Sequence, residues 1–257
     1  MQDSFDKVSG ELKKSFPDFL TFVSNGEPTL DINLSATIKL LRILQIPIAV
    51  ITNASLLNLE TVVNDLLLAN WVSVKVDAPD NETWQLINKP FKRLNFETHV
   101  QALLNFSQQF KGTLCSETML IDGLNDTPEK LEEIAEIIKK MNPAKAYLSI
   151  PTRPPAFSQI KAPEIEKVNQ AWQIFSDKGL NAELLIGFEG TNVGFTGNAY
   201  EDILNTTAVH PLREDIVMEI LKKDNYDFSL IESLLKQRLI KKVHYNNQTF
   251  YFRNYFV

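Results

Sequence analysis

The chain has 257 residues, 44% of them hydrophobic and 23% charged, which fits one sizeable globular domain or a domain of about 200 residues with a small appendage. A formal charge of −6 and a pI near 5.2 exclude a surface built throughout to grip nucleic acid. Mean hydropathy is −0.13, no run approaches the roughly 18 to 20 apolar residues of a membrane span, and the opening MQDSFDKVSGELKK lacks an apolar signal core, so a cytoplasmic protein is expected.

The first segment, SFDKVSGELKKSF, has helical spacing and no strand before it. An array of β-α units normally opens on a strand, so either this one starts on a helix or a first unit lies upstream. From there to about residue 205, six apolar runs read as strands: DFLTFVS, IPIAVITN, WVSVKVDA, GTLCSETMLI, KAYLSIP and AELLIGF. Between them, LSATIKLLRIL, NLETVVNDLLLA, FETHVQALLNFSQQF, PEKLEEIAEIIKKM and PEIEKVNQAWQIFSDKG carry apolar residues at three and four spacing, with Asn, Thr or Pro at their starts. This alternation predicts a parallel sheet with crossover helices. After about residue 208 the texture changes to two short helices, HPLREDIVMEILKK and FSLIESLLKQRLI, and an alternating pair around Asn246-Asn247. Helix, helix and hairpin predict a winged-helix-like α+β module over 208–257 behind a domain at 1–207.

In parallel α/β sheets functional groups collect where strands end. Those ends hold Asn25, Glu27, Thr52, Asn53, Lys75, Asp77, Glu117, Asp122, Asn125 and Arg153. Pro and Asn at such places also shape turns and cap the next helix. Lys75 and Asp77 alternate with Val74 and Val76, so both point to one side, where an ionised pair is costly unless something uses it. His99 reads as a surface or core-edge residue of a helix, and His210 and His244 have no metal-like spacing. Cys115, the only cysteine, reads as a small core residue. The charges of PEKLEEIAEIIKK form a solvated helix face.

Taken in order, NGEPTL, ITNASLL, KVDAPDNETWQLINKP, ETMLIDGLND and IPTRPPA resemble the radical S-adenosylmethionine superfamily. Within it, the resemblance is to iron–sulfur oxidoreductases of the wyosine-tRNA synthetase-like and molybdenum-cofactor-type branch, over roughly residues 16 to 157. The resemblance implies an incomplete parallel β/α, TIM-like barrel and reductive cleavage of S-adenosylmethionine on an unknown substrate, with an electron donor as partner. It places Asn25, Gly26, Glu27 and Pro28 at the cofactor's α-amino group, where a carboxylate and turned carbonyls accept from an ammonium. Thr52 and Asn53 would line the same pocket, Lys75 would meet the carboxylate or ribose with Asp77 beside it, and Glu117, Met119 and Arg153 would face the pocket from later strands. The family holds a [4Fe–4S] cluster through a CxxxCxxC loop after its first strand, and this sequence contains neither that loop nor that strand. The expectation is an N-terminally truncated chain that cannot hold the cluster alone.

Two other readings stand beside it. Lys236, Arg238, Lys241, Lys242 and Arg253, interleaved with Tyr245, Phe250 and Tyr251, could meet nucleic acid or a protein, or could simply border a small hairpin core. A non-radical TIM-like lyase could use Lys75 as nucleophile or base, which requires a depressed lysine pKa.

Overall fold

The computed structural model describes residues 17–23, 26–186 and 197–254. The opening helical segment, Ser24, Asn25 and the stretch GFEGTN lie outside them. Contacts divide the chain into two compact units, Met1–Ile150 with Ala162–Ile186 and Pro151–Lys161 with Gly187–Val257.

The first unit is a six-stranded sheet in sequence order, β1 (Leu20–Phe22), β2 (Ile48–Thr52), β3 (Trp71–Lys75), β4 (Thr113–Met119), β5 (Lys145–Ser149) and β6 (Ala182–Leu185). Every neighbouring pair is parallel, which fits a partial β/α barrel. Strands β2 and β3 are mostly apolar because both faces are covered; Ile48, Val50, Val72 and Val74 are fully buried.

The covering helices are α1 (Leu34–Leu41), α2 (Glu60–Leu66), α3 (Asn81–Ile87), α4 (Phe96–Gln109), α5 (Pro128–Met141) and α6 (Ile165–Asp177). In α5, the residues Leu131, Ile134, Ala135, Ile138 and Met141 form the buried stripe, at the spacing of one helix face. Thr127 caps its start and Asn142, at φ 51°, ends it. The charged remainder of the helix faces outward, as its sequence pattern implies. Helix α3, absent from the sequence reading, begins where the Asp80 side chain accepts from Thr83 N.

The strand starts are stitched by Asn70. Its Oδ1 accepts from Ile48 N and its own N–H donates to Ile48 O, both at 2.9 Å. Its carbonyl accepts from Thr113 N at 2.9 Å, so one residue joins β2, β3 and β4. Gly112 makes that approach possible: a Cβ there would lie 2.5 Å from the Asn70 carbonyl oxygen.

The second unit contains α7 (Ala199–Val209), β7 (Leu212–Arg213), α8 (Glu214–Lys223), α9 (Ser229–Lys236), β8 (Ile240–Tyr245) and β9 (Gln248–Arg253). Its antiparallel sheet has the order β7-β9-β8. Asn246 and Asn247 have φ of 47° and 58°, the two left-handed positions of a tight hairpin turn. Ala199 and Ile203 of α7 are buried in one core with Leu212, Val217, Ile231 and Tyr251. That apolar contact assigns α7 to this unit, ahead of the boundary read from sequence texture at 207/208. Among the described residues, no helix is long and apolar enough to cross a membrane.

Gly112→Ala should lower the unfolding free energy by about 1–3 kcal/mol, because the new methyl meets the Asn70 backbone as well as the Phe110 ring. Urea unfolding measures this as a lower midpoint at constant slope. An unchanged midpoint would mean that the Asn70 peptide moves aside without cost.

Candidate active site

Glu27 follows β1 and caps the 3-10 turn Pro28–Leu30. Its Oε1 accepts from Thr29 N at 3.1 Å, Thr29 Oγ1 at 2.8 Å and Thr52 Oγ1 at 2.5 Å. Its Oε2 accepts from Asn53 N at 2.7 Å. The side chain therefore does what a cap does and also ties the end of β1 to the end of β2. Thr52 Oγ1 in turn accepts from Ala54 N at 3.0 Å, fixing the turn that leaves β2. Pro28 is buried at the first turn position, and a Cβ on Gly26 would meet nothing within 4 Å.

On β3 and β4, Lys75 and Glu117 are register partners. Lys75 Nζ lies 3.1 Å from Glu117 Oε1 and 3.5 Å from Asp77 Oδ1. Burial alone pushes the Lys75 ammonium toward neutrality, but Asp77 and Glu117 outweigh it and hold the pKa above the ordinary lysine value. Burial likewise favours the neutral form of Glu117, and Lys75 with the Ser149 hydroxyl at 2.8 Å reverses this and lowers the pKa. Both groups are thus ionised at neutral pH, which removes the depressed pKa that Lys75 needs to act as a nucleophile or base.

Asp77 is 5% exposed and has its own donors: Met119 N at Oδ1 and Asn88 Nδ2 at Oδ2, both at 2.8 Å. Asn125, fully buried, donates to the carbonyls of Asp77 and Met119 and accepts from Ile121 N. It braces the β3 and β4 ends. Asp122 and Asp126 hold Lys167 at 2.9 and 2.6 Å.

A cavity of 380 Å³ opens at these strand ends, within the range of small-molecule sites. Glu27, Asn53, Lys75 and Asp77 line it, while Thr52 and Glu117 stand one hydrogen bond behind. Met119 contributes a backbone donor. Arg153 does not line it: β5 ends at Ser149, and Arg153 belongs to the second unit, in a hollow with Thr152, His210, Arg213 and Phe250. Asn25 lies outside the described residues.

The rest of the lining comes from α3, α4 and the loop between them and was not anticipated. Trp84, Asn88, Phe91, Leu94 and His99 belong to it, and the His99 and Trp84 rings stack with centroids 5.2 Å apart. His99 is half-buried, in keeping with a core-edge position, and also lines the cavity. The available signal was the helical spacing of Phe96, His99, Val100 and Leu103, which puts all four on one side of α4.

Among the described residues, no group of three or more His, Cys, Asp and Glu could hold a metal ion. Cys115 is buried mid-strand in β4, and burial raises its thiol pKa.

Comparison with known proteins agrees with this architecture. The model of the radical SAM superfamily matches residues 7–141. The UPF0026 protein MJ1312 of Methanocaldococcus jannaschii is 41% identical over 98% of this chain and 80% of that protein. A radical SAM methyltransferase from Sphaerobacter thermophilus superposes with a TM-score of 0.56 at 19% identity, covering 71% of this chain and 55% of that one. A domain of the pyruvate-formate lyase-activating enzyme from Bacteroides vulgatus gives 0.51 at 21% identity over 64% and 97%. The strand-end carboxylate, the parallel sheet that carries it and the family match over more than half the chain lead to one conclusion: the chain belongs to the radical SAM superfamily.

Proposed function

We propose that the first unit binds S-adenosylmethionine in the strand-end cavity, with the Glu27 carboxylate receiving the α-ammonium. The observation that carries this reading is the unequal loading of that carboxylate. Among the described residues, Oε1 already has three donors, whereas Oε2, in a residue of the cavity wall, has only Asn53 N. A carboxylate oxygen has room for a further, charge-assisted donor.

Charge supports the same ligand. In the wall, Glu27 and Asp77 balance Lys75 and Lys89, and Glu117 behind Lys75 leaves the site one negative charge in excess. S-adenosylmethionine, with an ammonium, a sulfonium and a carboxylate, is net positive by one. Bound there, it supplies an activated carbon–sulfur bond. The residues of this chain hold its amino-acid end: Glu27 orients the ammonium, Asn53 shapes the turn beside it, and the Lys75 ammonium, pinned by two carboxylates, meets the ligand carboxylate or ribose.

An iron–sulfur cluster does not fit the residues present. One cysteine in 257 residues, buried within β4, cannot supply three thiolates. Radical generation therefore requires ligands that these residues do not contain, and the chain alone is proposed to bind the cofactor without cleaving it. In the second unit, the order helix, helix, hairpin with a third short strand is winged-helix-like. Its rings serve its own core: Phe250 and Tyr251 are buried, and Tyr251 Oη donates to Glu214 at 2.8 Å. That use lends no support to base stacking at these two residues.

Glu27→Gln should weaken S-adenosylmethionine binding by about ten- to a hundredfold, the worth of one charge-assisted contact. Because the side chain also caps the turn, a loss of about 1 kcal/mol of stability should accompany it. Isothermal titration beside a thermal melt separates the effects, with Glu117→Gln, one hydrogen bond behind the wall, as the milder comparison. Lower stability with unchanged affinity would leave Glu27 a purely structural cap.

S-adenosylhomocysteine, which lacks the sulfonium charge, should bind about tenfold more weakly at low ionic strength, and the gap should narrow as salt screens the site. Equal affinities at low salt would contradict the charge argument.

A further inference from the structure

The turn after β2 and the start of α4 enclose a second, smaller hollow of 80 Å³. It is continuous with the cavity, since Ser55, Leu94 and His99 line both. At about half the size of a cavity that admits a benzene ring, it takes a compact group. Its polar lining is Ser55, Asn58, Arg93, Asn95 and Thr98, and among the described residues no carboxylate lines it, so Arg93 carries its one permanent charge. That guanidinium is exposed and, among the described residues, has no hydrogen-bond or ion-pair partner. The Ser55 and Thr98 hydroxyls and the Asn58 amide are equally uncommitted. Asn95 Oδ1 accepts from Thr98 N at 2.9 Å, which fixes that amide and leaves Nδ2 as its donor. Five side chains with donors to spare and one unpaired cation suit an oxyanion, and Arg in particular matches the geometry of phosphate. Glu60 and Glu97 line an adjoining groove that shares Asn58 and Thr98; their charge opposes an anion, and Arg93 is the group that offsets it. In the strand-end part of the cavity an anion would meet Glu27 and Asp77, so the hollow is the better place for one.

We propose that this hollow is a phosphate subsite, in which Arg93 pairs with the phosphate of a substrate whose body lies in the adjoining cavity. Ser55, Asn58, Asn95 and Thr98 complete the donor set around the phosphate oxygens. The cavity next to it offers Phe91, Leu94 and Phe96 to the body of such a molecule, and apolar lining with a few placed polar groups is the usual make-up of a small-molecule site. Calling the phosphate's owner a second reactant rests on the reading of the strand-end part as the S-adenosylmethionine site; the subsite itself does not.

The test uses the full chain and two probes, inorganic phosphate and phenyl phosphate, by isothermal titration at low ionic strength and about pH 8, where both are dianions. Phenyl phosphate should bind about tenfold more tightly than inorganic phosphate, because its ring reaches the cavity. Arg93→Gln keeps an amide donor and removes the charge, so it should weaken both probes about tenfold while leaving the thermal melt unchanged and S-adenosylmethionine affinity within about twofold. Arg42→Gln, which removes an exposed charge elsewhere on the first unit, should leave both probes unaffected. No binding of either probe at millimolar concentration, or an equal loss in Arg42→Gln, overturns the proposal. Equal affinity of the two probes overturns the assignment to a substrate's phosphate, since the hollow would then take a free ion. A tenfold loss of S-adenosylmethionine affinity in Arg93→Gln also overturns it, because the hollow would then hold the cofactor's own carboxylate. Binding of phenyl phosphate through Arg93 without any binding of S-adenosylmethionine would uphold the subsite while removing the cofactor reading.

Discussion

A carboxylate that is only 9% exposed is tolerable because four donors meet it, and at Glu27 those donors come from two different strand ends. The Thr52 hydroxyl and the Asn53 amide belong to β2, whereas the Thr29 groups belong to the turn after β1. Remove the charge and both turns lose a common anchor, since each donor would be left buried without an acceptor of equal strength. The mouth of the sheet therefore takes its shape from the same group that is best placed to meet a cationic ligand. A structural role for Glu27 does not compete with the proposed binding role, because the donors that hold the carboxylate also fix where it points.

Much of this arrangement was legible in sequence. Six strand runs and five helical stripes could be read because parallel strands are apolar on both faces and their helices on one. Helix α3 escaped because its seven residues span barely two turns, too few for periodicity to speak; only the Asp80 cap announced it. The polar wall was readable from strand ends alone. The aromatic wall was not, because Trp84 and His99 come from different crossover helices and nothing local says that they meet. The pairing of Lys75 with Glu117 needed the register of β3 on β4, which no pattern along one strand encodes. Arg153 looked like one more strand-end residue, yet the chain joins another core two residues after β5.

Membership in the superfamily and the content of this chain pull in different directions at one point. The sheet and the family match are those of the superfamily, and the capped carboxylate and cavity suit the proposed sulfonium ligand, while a single buried cysteine offers no set of cluster ligands. On the proposed reading, cofactor recognition can be tested apart from electron delivery.

Asn70 immediately precedes β3 and joins three strand starts; Asn181 immediately precedes β6 and does a similar thing, its Nδ2 donating to Ala144 O and its carbonyl accepting from Ala146 N. The sheet is thus laced at the end opposite the cavity, by side-chain amides that touch no candidate ligand group. Drift at the cavity end need not threaten the frame, and drift at the laced end would ruin the frame without altering what is bound. A scaffold divided in this way is permissive of new specificity: loops at the open end can be exchanged while the sheet's register is inherited intact.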